Sequence, residues 1–284
     1  MFNAARWLPA TLASVRKQTL TDWEHILVDD GSSDGSLKIA EAAADEDPRI
    51  RVVRVKRNGG SPQARNIALE AARGRFVAFL DADDLWLPDK LASCVGWMIE
   101  HGYDFIYHDY RHISDDGLRM GALVTGPDEL TFQSLHTRRG TGCLTVVIDR
   151  KQIPNLRFPP LQYPYRAEDF CLWTSLIEKG HIGHRMPADL ARYRLSPASR
   201  SARKLRGALN VWRIYRNYSH LSIYRTAVCW IQYAWNSSWL HWRARPRERI
   251  LLEEEKVLVS SEVCGGEVPQ HAQIFDHEDR NGEG

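Results

Sequence analysis

Short apolar runs and amphipathic stretches alternate along the first two thirds of the chain, and each change of period marks an element. Leu8, Leu12 and Val15 recur at helical spacing between Ala4 and Lys17 and predict a helix. His25–Ile26–Leu27–Val28 predicts a short buried strand that ends in the polar turn Asp29–Asp30–Gly31–Ser32–Ser33–Asp34–Gly35. A helix over 37–44 stops before Pro48, and Ile50–Val55 is rich in β-formers. Asn58–Gly59–Gly60–Ser61–Pro62 predicts a turn into a helix, with Ser61 at the cap and Pro62 in the first turn. Gly74 ends that helix and Phe76–Leu80 follows as a strand. Beyond Pro88 the pattern predicts a helix over 89–101, a strand over 104–110, an irregular region to about 140, a strand Leu144–Asp149 and a helix opening near Glu168–Asp169. Strands alternating with helices over short connections predict an α/β fold with a parallel, doubly wound sheet. The acidic groups that follow the strands at 25–28 and 76–80 should then share one sheet edge.

Composition changes this picture at the C-terminal end. The 284 residues, 43% hydrophobic and 26% charged, are ordinary for a globular protein, and the net charge is only +2. That small sum hides an asymmetry: residues 200–249 carry eleven Lys and Arg against one acid, whereas 250–284 carry two against nine. Three parts are therefore expected: a nearly neutral body over 1–199, a basic, Trp-rich helical arm over 200–249, and an acidic, disordered tail over 250–284. Five cysteines, widely spaced and without a CxxC pair, point to free thiols in a reducing compartment and away from zinc or a disulfide scaffold. No signal peptide is recognised, and the apolar run Thr226–Trp235 is too short to span a bilayer. A cytoplasmic protein is expected, either free or peripheral on the inner face of the cell membrane.

The densest chemistry lies where Phe76–Leu80 runs into Asp81–Ala82–Asp83–Asp84. Three carboxylates within four positions repel one another and resist dehydration, so a cation is expected among them. Oxygen-only ligands favour Mg2+ or Mn2+, which usually carry a ligand's phosphates as well. An acidic turn capping the next helix would carry the same residues.

Three pieces combine in order: Val28–Asp29–Asp30–Gly31–Ser32–Ser33–Asp34–Gly35, Ala64–Arg65–Asn66 and Phe79–Leu80–Asp81–Ala82–Asp83–Asp84. With Phe2–Leu8, Gln18–Thr19, Arg73–Gly74, Glu168–Asp169 and Tyr193–Arg194, they resemble the family 2 glycosyltransferases, inverting enzymes of the GT-A fold, over roughly residues 2–200. The resemblance implies a nucleotide-sugar donor, a UDP-sugar by preference, and a saccharide or lipid-linked saccharide acceptor of bacterial surface-polysaccharide type. It places Asp30 on the base with Asp29 beside it, and Arg65 near the nucleotide, although a surface ion pair would explain Arg65 equally. It assigns the metal to Asp83, with Asp81 supporting the metal or the ribose, and gives Asp84 an indirect role. It draws the general base from Asp169 or Glu168, and the choice between them stays open. Many relatives carry a His shortly after the Tyr–Arg pair, where this chain has Ser196. The family also begins with a central apolar strand ending in a Pro–Thr–Tyr–Asn-like segment, and this chain starts at the last of those residues. Either Met1 is an internal methionine of a longer chain that supplies this strand, or, if the chain is complete, a gap inside the sheet is expected there.

Tyr224, Val228, Ile231, Trp235, Trp239 and Trp242 follow helical steps of three and four, amid the arginines of 200–245. Such a stripe suits either the interface of an anionic membrane or packing against the catalytic body. No recognised nucleic-acid module accompanies the charge, and no nucleic-acid partner is expected. Two other classes share parts of the pattern. A haloacid dehalogenase-type phosphatase also ends a strand in DxD but leaves Asp29–Gly35 unexplained, and an impaired nucleotide-sugar binder or membrane adaptor would keep the motifs without turnover.

Overall fold

The computed structural model describes residues 1–138, 141–159, 167–195, 204–243 and 247–250, and of 204–208 and 237–250 the backbone alone. The N-terminal third alternates as the pattern requires: α1 (Leu8–Arg16), β1 (His25–Asp29), α2 (Ser36–Glu46), β2 (Ile50–Arg54), α3 (Ser61–Ala71) and β3 (Phe76–Ala78). β1 and β2 pair in parallel, from His25 opposite Ile50 to Asp29 opposite Arg54. Their apolar residues Leu27 and Ile50 join Leu8 and Leu12 of α1 and Ala40 and Ala43 of α2 in one cluster. Strand β3 is shorter than the run Phe76–Leu80, because Phe79 and Leu80 already turn toward the acidic loop.

The second half builds a larger, mixed sheet. After β4 (Leu85–Trp86) and α4 (Lys90–His101), the long strand β5 (Phe105–Ser114) is buried along almost its whole length. The stretch read as irregular contains β6 (Arg119–Val124), β7 (Glu129–Leu130) and α5 (Phe132–Thr137). The alternation of β6 is weak because it leaves Leu123 exposed, which hid it from a periodicity argument. β8 (Val146–Asp149), α6 (Glu168–Glu178) and β9 (Gly183–Leu195) complete the body. β5 pairs in parallel with β9 and antiparallel with β6 and β8, and β3 pairs antiparallel with β8. β9 also takes β4 and β7 in antiparallel register. A core of Phe79, Phe105, Phe158 and Trp173 lies between this sheet and α6, with Phe79 edge-on to Phe158 at 5.1 Å. Each such ring stabilises the fold by about 1.5–3 kcal/mol on burial.

The expected shared edge is therefore divided between two sheets. β1–β2 stands apart from the sheet that holds β3, and among the described residues no strand pairs with the facing edges of β1 and β3. Both edges line one cavity of about 2590 Å³, whose walls include Ile26, Leu27, Val28, Phe76, Val77 and Ala78. Met1 stands at its end, donating its amine to the Val28 carbonyl and accepting the Asp30 N–H, the pattern of one parallel-ladder step.

The helices α7 (Lys204–Asn217) and α8 (Ile223–Arg243) pack on each other and on α5 and α6. The Tyr215 hydroxyl donates to the His136 carbonyl at 2.6 Å, and Asn236 donates to the Thr137 carbonyl at 2.6 Å. Strand β10 (Arg247–Ile250) then returns to the edge of β6. Of the tail read as disordered over 250–284, Ile250 belongs to β10 and residues 251–284 lie outside the described residues, as does Ser196.

Candidate active site

The site forms where the ends of β1 and β3 meet the N-termini of α3 and α6. Asp29 ends β1 and Asp30 follows it, and both are buried. Asp29 Oδ1 accepts the Ser32 N–H at 3.3 Å, which closes the turn. Both Asp30 oxygens accept backbone N–H groups, from Gly59 and Gly60, each at 2.8 Å. Gly60 has φ +82°, a backbone that side-chain-bearing residues rarely adopt, and so presents its N–H to Asp30 at the start of α3. Asp30 lines the cavity together with Arg65, Asp81, Asp83, Glu168 and Asp169.

Arg65 is the hinge of this arrangement. It lies on the first turns of α3 and donates to Asp81 Oδ1 at 2.7 Å and to Glu168 Oε1 at 3.1 Å, with its guanidinium 5.4 Å from the Phe158 ring centroid. Burial disfavours its charge, but the acidic groups around it, Asp81 foremost, hold its pKa well above the ordinary value. The ion pair considered from sequence is thus a half-buried fork between two acidic clusters. Neighbouring Asn66 braces the same wall, accepting the Phe158 N–H at 2.8 Å and donating to the Phe158 carbonyl at 2.9 Å.

Glu168 and Asp169 occupy the first turn of α6, and the geometry separates them. Glu168 is held by Arg65, whereas Asp169 Oδ1 accepts the N–H of Phe170 at 2.8 Å. Burial first, and then the charge of Glu168, push the Asp169 carboxyl above its ordinary pKa of 3.8. A carboxylate made more basic and aimed into a cleft is suited to accept a proton.

The acidic loop after β3 divides similarly. The Asp81 side chain is 46% exposed, whereas Asp84 is buried, with Oδ1 accepting the Arg194 N–H at 2.8 Å and Oδ2 unpaired. Burial, then Asp83 and Asp81, push the Asp84 carboxyl well up. Arg194 also donates from Nε to the Asp83 carbonyl at 2.8 Å and from its terminal nitrogen to the Asp115 carbonyl at 3.0 Å. It therefore clamps the loop to β9, a role that sequence reading missed because the two segments lie 111 positions apart. Cys143, buried beside Arg65 with its thiol pushed well up by burial, is a second neighbour that no local pattern announced.

The carboxylates of this loop fit a divalent cation. No group of three or more His, Cys, Asp or Glu side chains among the described residues forms a closed metal cage. Asp81 and Asp83 both line the cavity wall, and a pair of carboxylates matches the Mg2+ and Mn2+ habit of taking few protein ligands and completing the shell with phosphates and water.

The sequence model of glycosyl transferase family 2 matches residues 1–146. The Bacillus subtilis (strain 168) glycosyltransferase TuaG, named for teichuronic acid biosynthesis, is 37% identical over 236 residues, 83% of this chain and 92% of that protein. WfgD of Escherichia coli, named as a UDP-Glc:alpha-D-GlcNAc-diphosphoundecaprenol beta-1,3-glucosyltransferase, is 34% identical over 219 residues, 76% of this chain and 83% of that protein. Among solved structures, S. aureus TarS 1–349 with UDP-GlcNAc superposes with a TM-score of 0.58 at 18% identity, covering 93% of this chain and 74% of that one. The mannosyltransferase PcManGT of Pyrobaculum calidifontis with GDP-Man and Mn2+ superposes at 0.60 and 17% identity, covering 84% and 72%. The architecture is thus the GT-A fold.

Proposed function

The chain belongs to glycosyl transferase family 2 and is a glycosyltransferase, and within that class we propose that it moves a sugar from a UDP-sugar to a lipid-diphosphate-linked saccharide, with inversion and with a divalent metal. One observation carries the reading: Arg65 joins Asp81 of the strand-end loop to Glu168 of α6 across a single cavity, with Asp169 beside them. Membership of the family sets the phosphatase reading aside. UDP as donor nucleotide and a diphosphoundecaprenol-type acceptor are supported by the reaction for which WfgD is named. The reducing, cytoplasmic setting is supported by Cys94, Cys143, Cys171 and Cys229 being free thiols. Among the described residues no helix is long and apolar enough to cross a membrane, which suits a peripheral placement on the inner face.

In this mechanism Asp30, with Asp29 beside it, receives the base, an acceptor-only carboxylate suiting a pyrimidine N–H. Asp83, aided by Asp81, would hold the metal, which when bound neutralises the departing diphosphate. Asp169 takes the proton from the acceptor hydroxyl as its oxygen attacks the anomeric carbon. The new C–O bond forms opposite the bond to the diphosphate, which breaks to release UDP, so configuration inverts. Glu168, engaged by Arg65, positions that guanidinium rather than accepting the proton.

The test is a panel of UDP-sugars with a diphosphate-lipid saccharide acceptor, with UDP release followed with and without Mn2+ and the product linkage read by NMR. Metal-dependent transfer with inverted configuration is expected, and Asp83→Ala should lower it by about a hundredfold or more. Nucleotide-sugar binding without UDP release would replace the transferase assignment of this chain with that of a binder. Wild-type Mn2+ activation in Asp83→Ala would remove that residue as a ligand.

A further inference from the structure

Helix α8 carries two faces of opposite destiny. Thr226 and Tyr233 are buried, and Trp230 and Tyr233 meet Trp212 and Tyr215 of α7 with ring centroids 6.0 and 6.4 Å apart. The other face holds Tyr224, Val228, Ile231 and Trp235, at steps of four, three and four, and none of them is covered. Tyr224 is 78%, Ile231 62% and Trp235 77% exposed, and Ile223 and Leu209 of α7 extend the apolar surface. A stripe of this size left in water is unfavourable for a monomer and calls for a partner.

The charge around the stripe identifies that partner. Over α7 and α8 the sequence carries Lys204, Arg206, Arg213, Arg216, Arg225 and Arg243 and no Asp or Glu. A second copy of the same face would set cations against cations. Nucleic acid would use the cations and leave the aliphatic spine without a purpose. An anionic lipid surface satisfies both, with acyl chains under the Ile, Val and Trp side chains and headgroup phosphates at the arginines. Since α8 is not apolar enough to cross a bilayer, it would lie in the plane of the interface. Leu209 and Arg213 of α7 line the same cavity as Asp169.

We propose that the exposed face of α8, Tyr224, Val228, Ile231 and Trp235 with Arg225 at its rim, is the membrane-docking surface of this enzyme and is specific for anionic phospholipid. The proposal supplies the contact surface for the peripheral placement above and rests on that reading. Its test needs neither donor nor acceptor. The full chain is floated with vesicles of phosphatidylcholine alone and of phosphatidylcholine with phosphatidylglycerol, and the melting temperature of each variant is recorded.

Wild type should float with the phosphatidylglycerol vesicles and bind the neutral ones about tenfold or more weakly. Ile231→Glu with Trp235→Glu should lose binding to both by about a hundredfold with an unchanged melting temperature, because both positions are solvent-exposed. Arg225→Glu, a milder change, should weaken only the anionic preference, by about tenfold. Wild type failing to float, or the double variant floating as wild type does, would overturn the proposal. So would a wild-type dimer that the double variant converts to monomer without any vesicle binding. UDP release is measured on the same preparations without vesicles, so loss of the transferase reading and loss of the docking surface remain separate results.

Discussion

Two neighbouring carboxylates, Glu168 and Asp169, share a helical turn yet carry different burdens. Glu168 is ion-paired with Arg65, while Asp169 feels burial and the charge of Glu168, both of which raise its pKa above 3.8. A base acts only when deprotonated, so the acid limb of the transfer rate should lie above the ordinary aspartate value and report Asp169. Asp169→Asn should reduce kcat by about a thousandfold and abolish that limb, with donor affinity kept. Glu168→Gln should keep the limb, shifted downward because a like charge has been removed, and cost less. If the larger loss falls on Glu168→Gln, the two roles are exchanged. That distinction was not legible in the sequence, where both residues are simply acids in a first helical turn. It depends on Arg65, whose two partners lie 16 and 103 positions away, and only the folded chain brings the three together.

At the scale of elements, what could be read from the chain was whatever a short window contains. Val28–Gly35 and Phe76–Asp84 announce a strand entering an acidic turn because apolar run and carboxylates are contiguous. Strand β6, which lies between β5 and β10, escaped because Ala122 and Leu123 are exposed in succession and break the alternation. Pairing is equally invisible, and the antiparallel joint of β3 with β8 is an example. Asp149, buried at the end of β8, accepts a bidentate contact from Arg75 just before β3 at 2.7–3.1 Å, with Lys151 N–H and Gln152 adding to it. Burial alone would raise the Asp149 pKa, but these donors hold it below 3.8. The sign follows: the stability it contributes is complete above the ordinary value and is lost as pH falls through the lowered folded value. Asp149→Asn should therefore destabilise by about 2 kcal/mol at neutral pH, with the gap from wild type closing in acid. Urea melts at neutral pH and at low pH would measure both. An equal cost at the two pH values would show that the carboxylate charge plays no part.

For the whole molecule, the GT-A class came with the family resemblance that motif order carries, and the interruption of the sheet expected with it lies between β1 and β3. β1 and β2 form a two-stranded ribbon, and such ribbons are marginal alone. β5, by contrast, is hydrogen-bonded along its length to β6, β8 and β9 and is buried on both faces. Opening free energy should differ accordingly, with β1–β2 at the labile end and β5–β9 near the global value. The ribbon is also the element that ends in Asp29, with Asp30 following, and Asp30 reaches across to the Gly59 and Gly60 N–H groups. The donor site is thus proposed to rest on the smaller of the two sheets, which α1 and α2 support, and a nucleotide seated there must stabilise it by mass action. Hydrogen exchange followed by mass spectrometry should show amides of 25–29 and 50–54 exchanging well before those of 105–113. UDP with Mn2+ should slow exchange at 25–31 and 58–61 while leaving 105–113 unchanged. Uniform exchange across both sheets would mean that the ribbon is held by the rest of the fold as firmly as the large sheet. Protection appearing elsewhere than at 25–31 and 58–61 would move the base-binding site away from Asp29 and Asp30.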